Sequence, residues 1–445
     1  MAAAPASRSR RRVPWRVAAK LLARLLSSWC NPRLLPGSSI SAIYFNTTLP
    51  ARDGGVTLLL SVLSGDRALD ITSIRARPEV AARGVSRERL GPVAAWLFAC
   101  CALIFLMVLI GGITRLTLSG LSITEWRPVV GVVPPLSAAD WAAEFAKYQQ
   151  IPEYRLVHYG MTLDEFKSIY WWEYAHRLLG RLIGVAFAVP FVWFLVRGRL
   201  PRRLIPPLCG ILLLGFAQGG LGWYMVESGL ADRVEVSQYR LVAHLALALA
   251  IYSAISWTAL GIVRGPMRVD LGQGWRRAGD AVLFFVVLTI LAGGFVAGTR
   301  AGLTYNTFPL MDDRVVPEGY AQLRPFFLNW FENVAAVQFD HRLLAIATAG
   351  VILLVWAAGW LAALPHPARA ALHGLLAVVL LQVALGVTTL VLVVPIPLAA
   401  AHQAGAVLLL TAAIVFRHTC AVSRSWTRRR GRPYSACLAG EDDGR

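Results

Sequence analysis

His176, His244, His341 and His402 have the residue type and order of metal ligands. Each stands at the start of a long apolar run, and each of those runs is an even-numbered one. That placement sets four imidazoles at one depth on one side of a membrane. An ionisable side chain inside a span carries a substantial free-energy cost, so it marks function by default. Two imidazoles on separate helices at equal depth can clamp a metal, and iron in a porphyrin takes two opposed axial ligands. Two pairs, His176 with His244 and His341 with His402, therefore fit two hemes. A di-iron carboxylate site would need Glu-x-x-His on more than one helix, and only Glu173–His176 fits that pattern. Four histidines held merely by hydrogen bonds would not be expected at duplicated positions. His158, His366, His373 and His418 have no such partners and suit loop or membrane-edge roles.

One position separates the two pairs. Glu173 lies three residues before His176, on the same helical face, whereas Gln338 holds that place before His341. A titratable carboxyl beside one iron site could accept or relay protons, so the asymmetry suggests chemistry in the N-terminal half and electron transfer in the C-terminal half. The plainer alternative is that Glu173 pairs with Arg115 or Arg177 at the membrane surface. Arg115, Arg127, Arg177, Arg240, Arg300 and Arg342 all lie near the outer boundary. They would either hold heme propionates as bidentate partners or snorkel to the interface. Asp340 points to another face than His341 and suits solvent or a structural partner.

The elements that must position these residues are membrane spans. The chain has 445 residues, 56% hydrophobic and 16% charged, with mean hydropathy +0.56, a polytopic composition. A span needs about 20 apolar residues. Eight runs qualify: 93–113, 177–196, 204–225, 241–263, 278–297, 342–363, 370–394 and 399–416. The net charge of +19 is not a nucleic-acid signal, because basic residues fill the tails and every second loop. Acids concentrate in the alternate loops. This positive-inside pattern puts both termini on the cytoplasmic or matrix side. None of the six cysteines lies in an outer loop and no CxxC occurs, which argues against disulfides, zinc and c-type heme.

The chain repeats itself. Gly111-Gly112 ends the first span and Gly293-Gly294 the fifth, each followed at the same offset by Gly-Leu. His176-Arg177-Leu178-Leu179 matches His341-Arg342-Leu343-Leu344. Gln218-x-x-Leu221-Gly222 matches Gln382-x-x-Leu385-Gly386, and Ala243-His244 matches Ala401-His402. Four spans per copy is an even number, so the fold class expected is all-α, eight transmembrane helices as two parallel four-helix-bundle repeats. The glycine pairs let helices approach closely. The division is an N-terminal extension 1–90, an N-terminal half 91–263, a linker 264–277, a C-terminal half 278–417 and a basic tail 418–445. The extension is rich in Arg, Ser and Ala, as in a transit peptide or an over-called bacterial start; the 56–62 apolar run is too short to span. In the first outer loop, Ser137 with Asp140 and Thr162 with Glu165 have the form of helix caps. Tyr170, Trp171 and Trp172 then meet the second span as interface aromatics.

From Gly91 to Arg417 the sequence resembles the heme A synthase family. The resemblance rests on Gly111-Gly112-Ile113-Thr114-Arg115-Leu116-Thr117 with Ser119-Gly120-Leu121-Ser122, on Trp172-Glu173-Tyr174-Ala175-His176-Arg177, and on Leu221-Gly222-Trp223-Tyr224-Met225-Val226. It continues through Gln238-Tyr239-Arg240-Leu241 before His244, Tyr305-Asn306-Thr307-Phe308-Pro309, Gln338-Phe339-Asp340-His341-Arg342, and Pro397-Leu398-Ala399 before His402-Gln403. It is closest to the proteobacterial and mitochondrial branch, since other branches carry an outer-loop cysteine pair. Thr299-Arg300 stands where some members have Leu-Asp. The resemblance implies substrate heme O between His176 and His244, with Glu173 as catalytic carboxylate, and a heme b cofactor between His341 and His402. It implies oxidation of the C8 methyl of heme O to a formyl group by successive hydroxylations, supplying heme A to cytochrome c oxidase. The implied partners are heme O, a heme O synthase, a membrane electron acceptor and further copies of the chain. The implied location is a bacterial inner membrane, with the mitochondrial inner membrane as the alternative. A bis-histidine diheme cytochrome b that only transfers electrons would explain the histidines but not Glu173 against Gln338. A transporter would explain the repeat, but it predicts broken helices near the midplane.

Overall fold

The computed structural model describes residues 42–47, 58–64, 67–74, 78–126, 130–232, 235–264 and 271–420. Arg127 and the tail beyond residue 420 lie outside them. The chain forms two compact units, Met1–Val85 and Ser86–Arg445. In the first, β1 (Ala42–Thr47), β2 (Leu58–Ser64) and β3 (Arg67–Ile74) form an antiparallel sheet in the order β1-β2-β3. The apolar run too short to span thus supplies most of the central strand. β2 pairs Leu63 with Ala42 and Leu58 with Ile74, with an irregularity between Leu59 and Ser61.

The second unit is helical. Eight of its helices are long and apolar enough to cross a membrane: Leu90–Leu116, Leu163–Val196, Ile205–Leu230, Gln238–Arg264, Gln273–Thr299, Val334–Leu361, His366–Val391 and Ile396–Thr419. They match the expected eight runs in number and order, and most begin a few residues earlier, while the third begins one residue later and the sixth and seventh end two and three residues sooner. The largest difference is in the second, which begins fourteen residues earlier than its apolar run. Thr162 and Glu165 form a complete capping box, but they cap the second span itself, not a separate loop helix. The helix then runs unbroken through Asp164–Glu173, burying Phe166, Ile169, Tyr170 and Glu173 on one side and leaving Asp164, Glu165 and Ser168 exposed on the other. Ser137 and Asp140 form the other expected box, on the loop helix Ala138–Tyr148. Such reciprocal caps satisfy two orphan N–H groups each.

The fifth to eighth spans close on one another in a ring, fifth with sixth, sixth with seventh, seventh with eighth and eighth with fifth. Thr289 and Thr348 tie the fifth to the sixth at 2.7 Å. Among the first four, second packs on third and third on fourth. Trp96 Nε1 donates to Ala186 O across the first and second, and Cys101 meets Ser256 across the first and fourth. The two groups meet through the fourth span, which packs on the fifth and eighth.

The main cluster of buried apolar residues is concentrated toward one end of the spans. Leu97, Phe191, Ile255, Val282, Leu372 and Phe416 are among its buried members, all from the ends of their helices remote from the four histidines. A second cluster of Leu121, Tyr148, Ile151, Phe166, Ile169, Tyr170 and Tyr174 caps the other end of the first four spans. His176 and His244 therefore sit between the apolar core and the aromatic cap. Tyr170 and Tyr174 belong to that cap, so of the three aromatics expected at the membrane interface only Trp171 and Trp172 are exposed. Cys100, Cys101, Cys209 and Cys420 are free thiols.

Candidate functional site

Each histidine ring rests on a glycine of the preceding span. A Cβ on Gly111 would lie 3.0 Å from His176 Nε2, and one on Gly222 3.0 Å from His244 Cε1. The second set repeats this: Gly293 against His341 at 3.0 Å and Gly386 against His402 at 2.9 Å. Ordinary carbon contacts begin near ~3.5 Å, so any side chain at these four positions would push the ring away. The second glycine of each pair does a different job. Gly112 admits Gln403 of the eighth span, and Gly294 admits Val242 of the fourth at 3.0 Å. One glycine seats an imidazole and its neighbour brings the two groups of spans together.

All four histidines sit near the same ends of their spans, each against a glycine. His176 lies within electrostatic reach of His244, and His341 within reach of His402. All four rings are partly exposed. The Nδ1 atoms of His244, His341 and His402 are buried without a hydrogen-bond partner. An unsatisfied buried nitrogen costs about 1–3 kcal/mol, so these rings retain unused bonding capacity. Gln218 Nε2 donates to His244 O at 3.1 Å and also lies 3.2 Å from His244 Nε2. Gln382 Nε2 donates to His402 O at 2.9 Å. Imidazoles in cradles that only glycine permits, three of them with an unused nitrogen, fit the donor set of a bis-histidine heme.

Glu173 is 2% exposed and Gln338 is 2% exposed, and both grip the loop after the preceding span. Glu173 Oε2 accepts from Ser122 Oγ and from the Ile123 N–H, both at 2.7 Å. Its Oε1 accepts from Arg177 Nε at 2.9 Å and Nη2 at 2.7 Å. Gln338 grips with the opposite polarity, its Nε2 donating to Ala301 O at 2.9 Å and Thr304 O at 2.6 Å. Arg342 Nη2 donates to Gln338 Oε1 at 3.3 Å. The arginines finish each clamp: Arg177 donates to Ile123 O and Glu125 O, Arg342 to Tyr305 O and Thr307 O. The pairing of Glu173 with an arginine is thus present, and the partner is Arg177, not Arg115. The Ser122 hydroxyl also has Ser119 O within reach at 3.0 Å, so of the four contacts on Glu173 it is the one that can turn away.

Among the described residues, Arg115, Arg240 and Arg300 are also engaged. Arg115 pairs with Glu235 at 2.6 Å and donates to Ala297 O and Gly298 O, and Arg300 pairs with the same Glu235. Arg240 lies over the Tyr224 ring, 4.6 Å from its centroid. Asp340 accepts from Tyr320 at 2.9 Å, a structural partner as expected. Of the unpaired histidines, His373 accepts from Trp356 Nε1 at 3.1 Å and His418 is buried against Trp257. His158 lies 2.6 Å from the Tyr148 hydroxyl.

Two features were invisible to sequence reasoning. The Arg115–Glu235–Arg300 link joins residues from three segments far apart in the chain, and no local pattern marks it. Glu153 is 3% exposed and lines a cavity with Glu235 and Arg115; its only local signal is Pro152, which starts a five-residue helix.

Comparison with known proteins agrees with this architecture. A family described as "Cytochrome oxidase assembly protein" (COX15-CtaA) matches residues 94–414. The heme A synthase of Nitrosospira multiformis is 52% identical over 330 residues, covering 74% of this chain and 93% of its own length. The heme A synthase of Nitrosomonas eutropha is 51% identical over 333 residues, covering 73% and 92%. That of Parvibaculum lavamentivorans is 50% identical over 329 residues, covering 74% and 94%. With eight spans, four glycine-seated histidines and a match that runs from the first span to the eighth, this chain belongs to the COX15-CtaA cytochrome oxidase assembly family.

Proposed function

We propose that the chain carries out the heme A synthase reaction, oxidising the C8 methyl of heme O to a formyl group by successive hydroxylations. The product would supply cytochrome c oxidase with heme A. The observation that carries this reading is the doubled histidine–glycine cradle with a carboxylate at one copy and an amide at the other. The names of relatives half identical over nearly their whole length support it.

In this reading the spans are two parallel four-helix bundles, residues 91–263 and 278–417, joined by the linker 264–277. His176 and His244 bind substrate heme O. His341 and His402 hold heme b, which supplies a one-electron redox centre when bound. Glu173 is the catalytic carboxylate of the substrate site, and it acts by exchanging one of its donors for a substrate-derived proton. Gln338 cannot do this, which keeps proton chemistry out of the second site. Gln218 keeps its bond to His244 O while releasing the ring nitrogen to iron. The chain is a multi-pass membrane protein, and the bacterial relatives and positive-inside loops favour a bacterial inner membrane. A heme O synthase as donor and a membrane electron acceptor complete the reaction.

The test is to purify the membrane protein and extract its porphyrin. Heme O, a hydroxylated intermediate or heme A in the extract is the expected result. Heme b alone would favour the electron-transfer cytochrome instead. A second reading of Glu173 as a loop clamp is favoured by its four donors and by Gln338 doing the same work. Glu173→Gln with heme bound and full product formation would establish the clamp and remove the catalytic role.

A further inference from the structure

Glu153 is a buried acid that the proposed chemistry does not use. It lines a cavity of about 30 Å³ together with Thr114, Arg115, Gly120, Leu121 and Glu235. A water needs roughly 10–15 Å³ of such space, so the cavity has room for one or two. One wall is the loop that Glu173 grips: Leu121 faces the cavity and the adjacent Ser122 donates to Glu173. On the other side of Glu153, the Tyr148 hydroxyl lies 3.5 Å from Glu153 Oε2 and 2.6 Å from His158 Nδ1. Tyr148 is fully buried, and His158 is partly exposed. Carboxyl, phenol and imidazole thus run in line from the cavity to the outer surface.

A purely structural acid would be expected to have a cation or several donors, because burying a carboxyl otherwise costs stability. Among the described residues, Tyr148 is the one hydrogen-bond partner of the Glu153 side chain. The nearby guanidinium of Arg115 is paired with Glu235 instead. The charged and titratable groups around Glu153 are Glu173 on the second span, Glu235 in the loop before the fourth, Arg115 on the first, and Tyr148 in the cap. Burial first, and then the charges of Glu173 and Glu235, push Glu153 up to about 8, so it holds a proton at neutral pH. Burial and Arg300 push His158 down, which keeps its ring neutral and able to accept.

We propose that Glu153, Tyr148 and His158 form a proton exit from the cavity beside the Glu173 loop to the outer aqueous face. The Glu153 O–H bond breaks as its proton passes to the Tyr148 oxygen. The phenol proton passes in the same motion to His158 Nδ1, and His158 releases a proton from Nε2 to solvent. The emptied Glu153 carboxylate is refilled through the cavity. No electron moves along this path. The inference rests on the proposed reaction, since oxidising a methyl group removes hydrogen whose protons must leave the substrate site.

The test uses the full-length, heme-loaded protein. In the infrared spectrum, a protonated-carboxyl signal should titrate away with a midpoint near 8 and be missing in Glu153→Gln. Glu153→Gln and Tyr148→Phe should keep the heme spectrum while slowing turnover about 10²-fold, the low end for a lost proton-transfer group. His158→Ala should be slow, and imidazole added from outside should restore it. Wild-type turnover in Tyr148→Phe, or an infrared signal unchanged in Glu153→Gln, overturns the relay. If Tyr148→Phe fails to bind heme, His158→Ala decides the matter, and absence of imidazole rescue refutes the path. A wild-type protein that makes no heme A would overturn the proposed reaction instead, and the infrared titration would still report on Glu153.

Discussion

Exchanging Glu173 for glutamine tests the clamp and the chemistry together. The side chains are nearly isosteric, so the effect is one of polarity. In the second site Gln338 turns Oε1 to Arg342 and Nε2 to two carbonyls. A glutamine at 173 would likewise turn Oε1 to Arg177, which leaves Nε2 facing Ser122 Oγ and the Ile123 N–H. The serine hydroxyl can rotate to accept. The Ile123 N–H cannot, and becomes a buried donor facing a donor. An unsatisfied buried group of this kind costs about 1–3 kcal/mol. Arg177 keeps its bonds to Ile123 O and Glu125 O, so the cost stays below the ~3–5 kcal/mol of stranding a buried charge. Glu173→Gln should therefore lower the unfolding free energy by about 1–3 kcal/mol with heme still bound. Glu173→Ala, which leaves Arg177 without its carboxylate, should cost more, about 3–5 kcal/mol. Denaturation in detergent, followed by helix signal and heme absorbance, measures both. A Glu173→Gln protein as stable as wild type would refute the geometric reasoning. Loss of product beyond what lost stability explains would isolate the catalytic role.

The reciprocal change, Gln338→Glu, would set a carboxylate against Ala301 O and Thr304 O and should lower stability and heme b content, read from the heme-to-protein ratio. Gly222→Ala and Gly386→Ala should each cost about 1–3 kcal/mol and shift or deplete heme absorbance, because the new methyl meets the His244 or His402 ring. Gly220→Ala, with open space around it, is the control and should be neutral or slightly stabilising. Glu153 gives a pH signature. Its acid is raised in the folded chain from 4.5 to about 8, so its contribution is fully present below pH 4.5 and is lost as pH rises toward 8. Glu153→Gln should flatten that part of the stability–pH curve, and an unchanged slope would count against the burial of its proton.

The spans were legible because each is a continuous apolar run and a bilayer fixes its length. Their outer ends were not, because the second span continues through Asp164, Glu165, Lys167 and Glu173. Hydropathy stops where polar residues begin, but helix hydrogen bonding does not. Here the capping box at Thr162 was the better marker of where the helix starts. The four histidines stood out through duplication alone. Their glycine seats were visible as motifs, yet the sequence could not say that one glycine of each pair faces a ring and the other faces the opposite half. That distinction depends on helix rotation, which apolar runs facing lipid and protein alike do not encode.

The outer arginines show where residue type misleads. A row of guanidiniums at the membrane face that carries the histidines invites assignment to propionates. Yet Arg177 and Arg342 are turned to loop carbonyls, and Arg115 and Arg300 share Glu235. The reason is that the loops leaving the first and fifth spans lie against the second and sixth spans and turn backbone carbonyls toward them. Backbone groups there need donors as much as a ligand does, and arginine reaches several at once. The clamp also explains why Glu173 and Gln338 sit one helical turn before Arg177 and Arg342: each pair grips one loop. Catalytic use of Glu173 would redirect its bonds to the loop that it grips, so a Ser122→Ala change, which removes one donor, should alter turnover more than heme affinity. Equal losses in both would mean that the loop merely holds the heme.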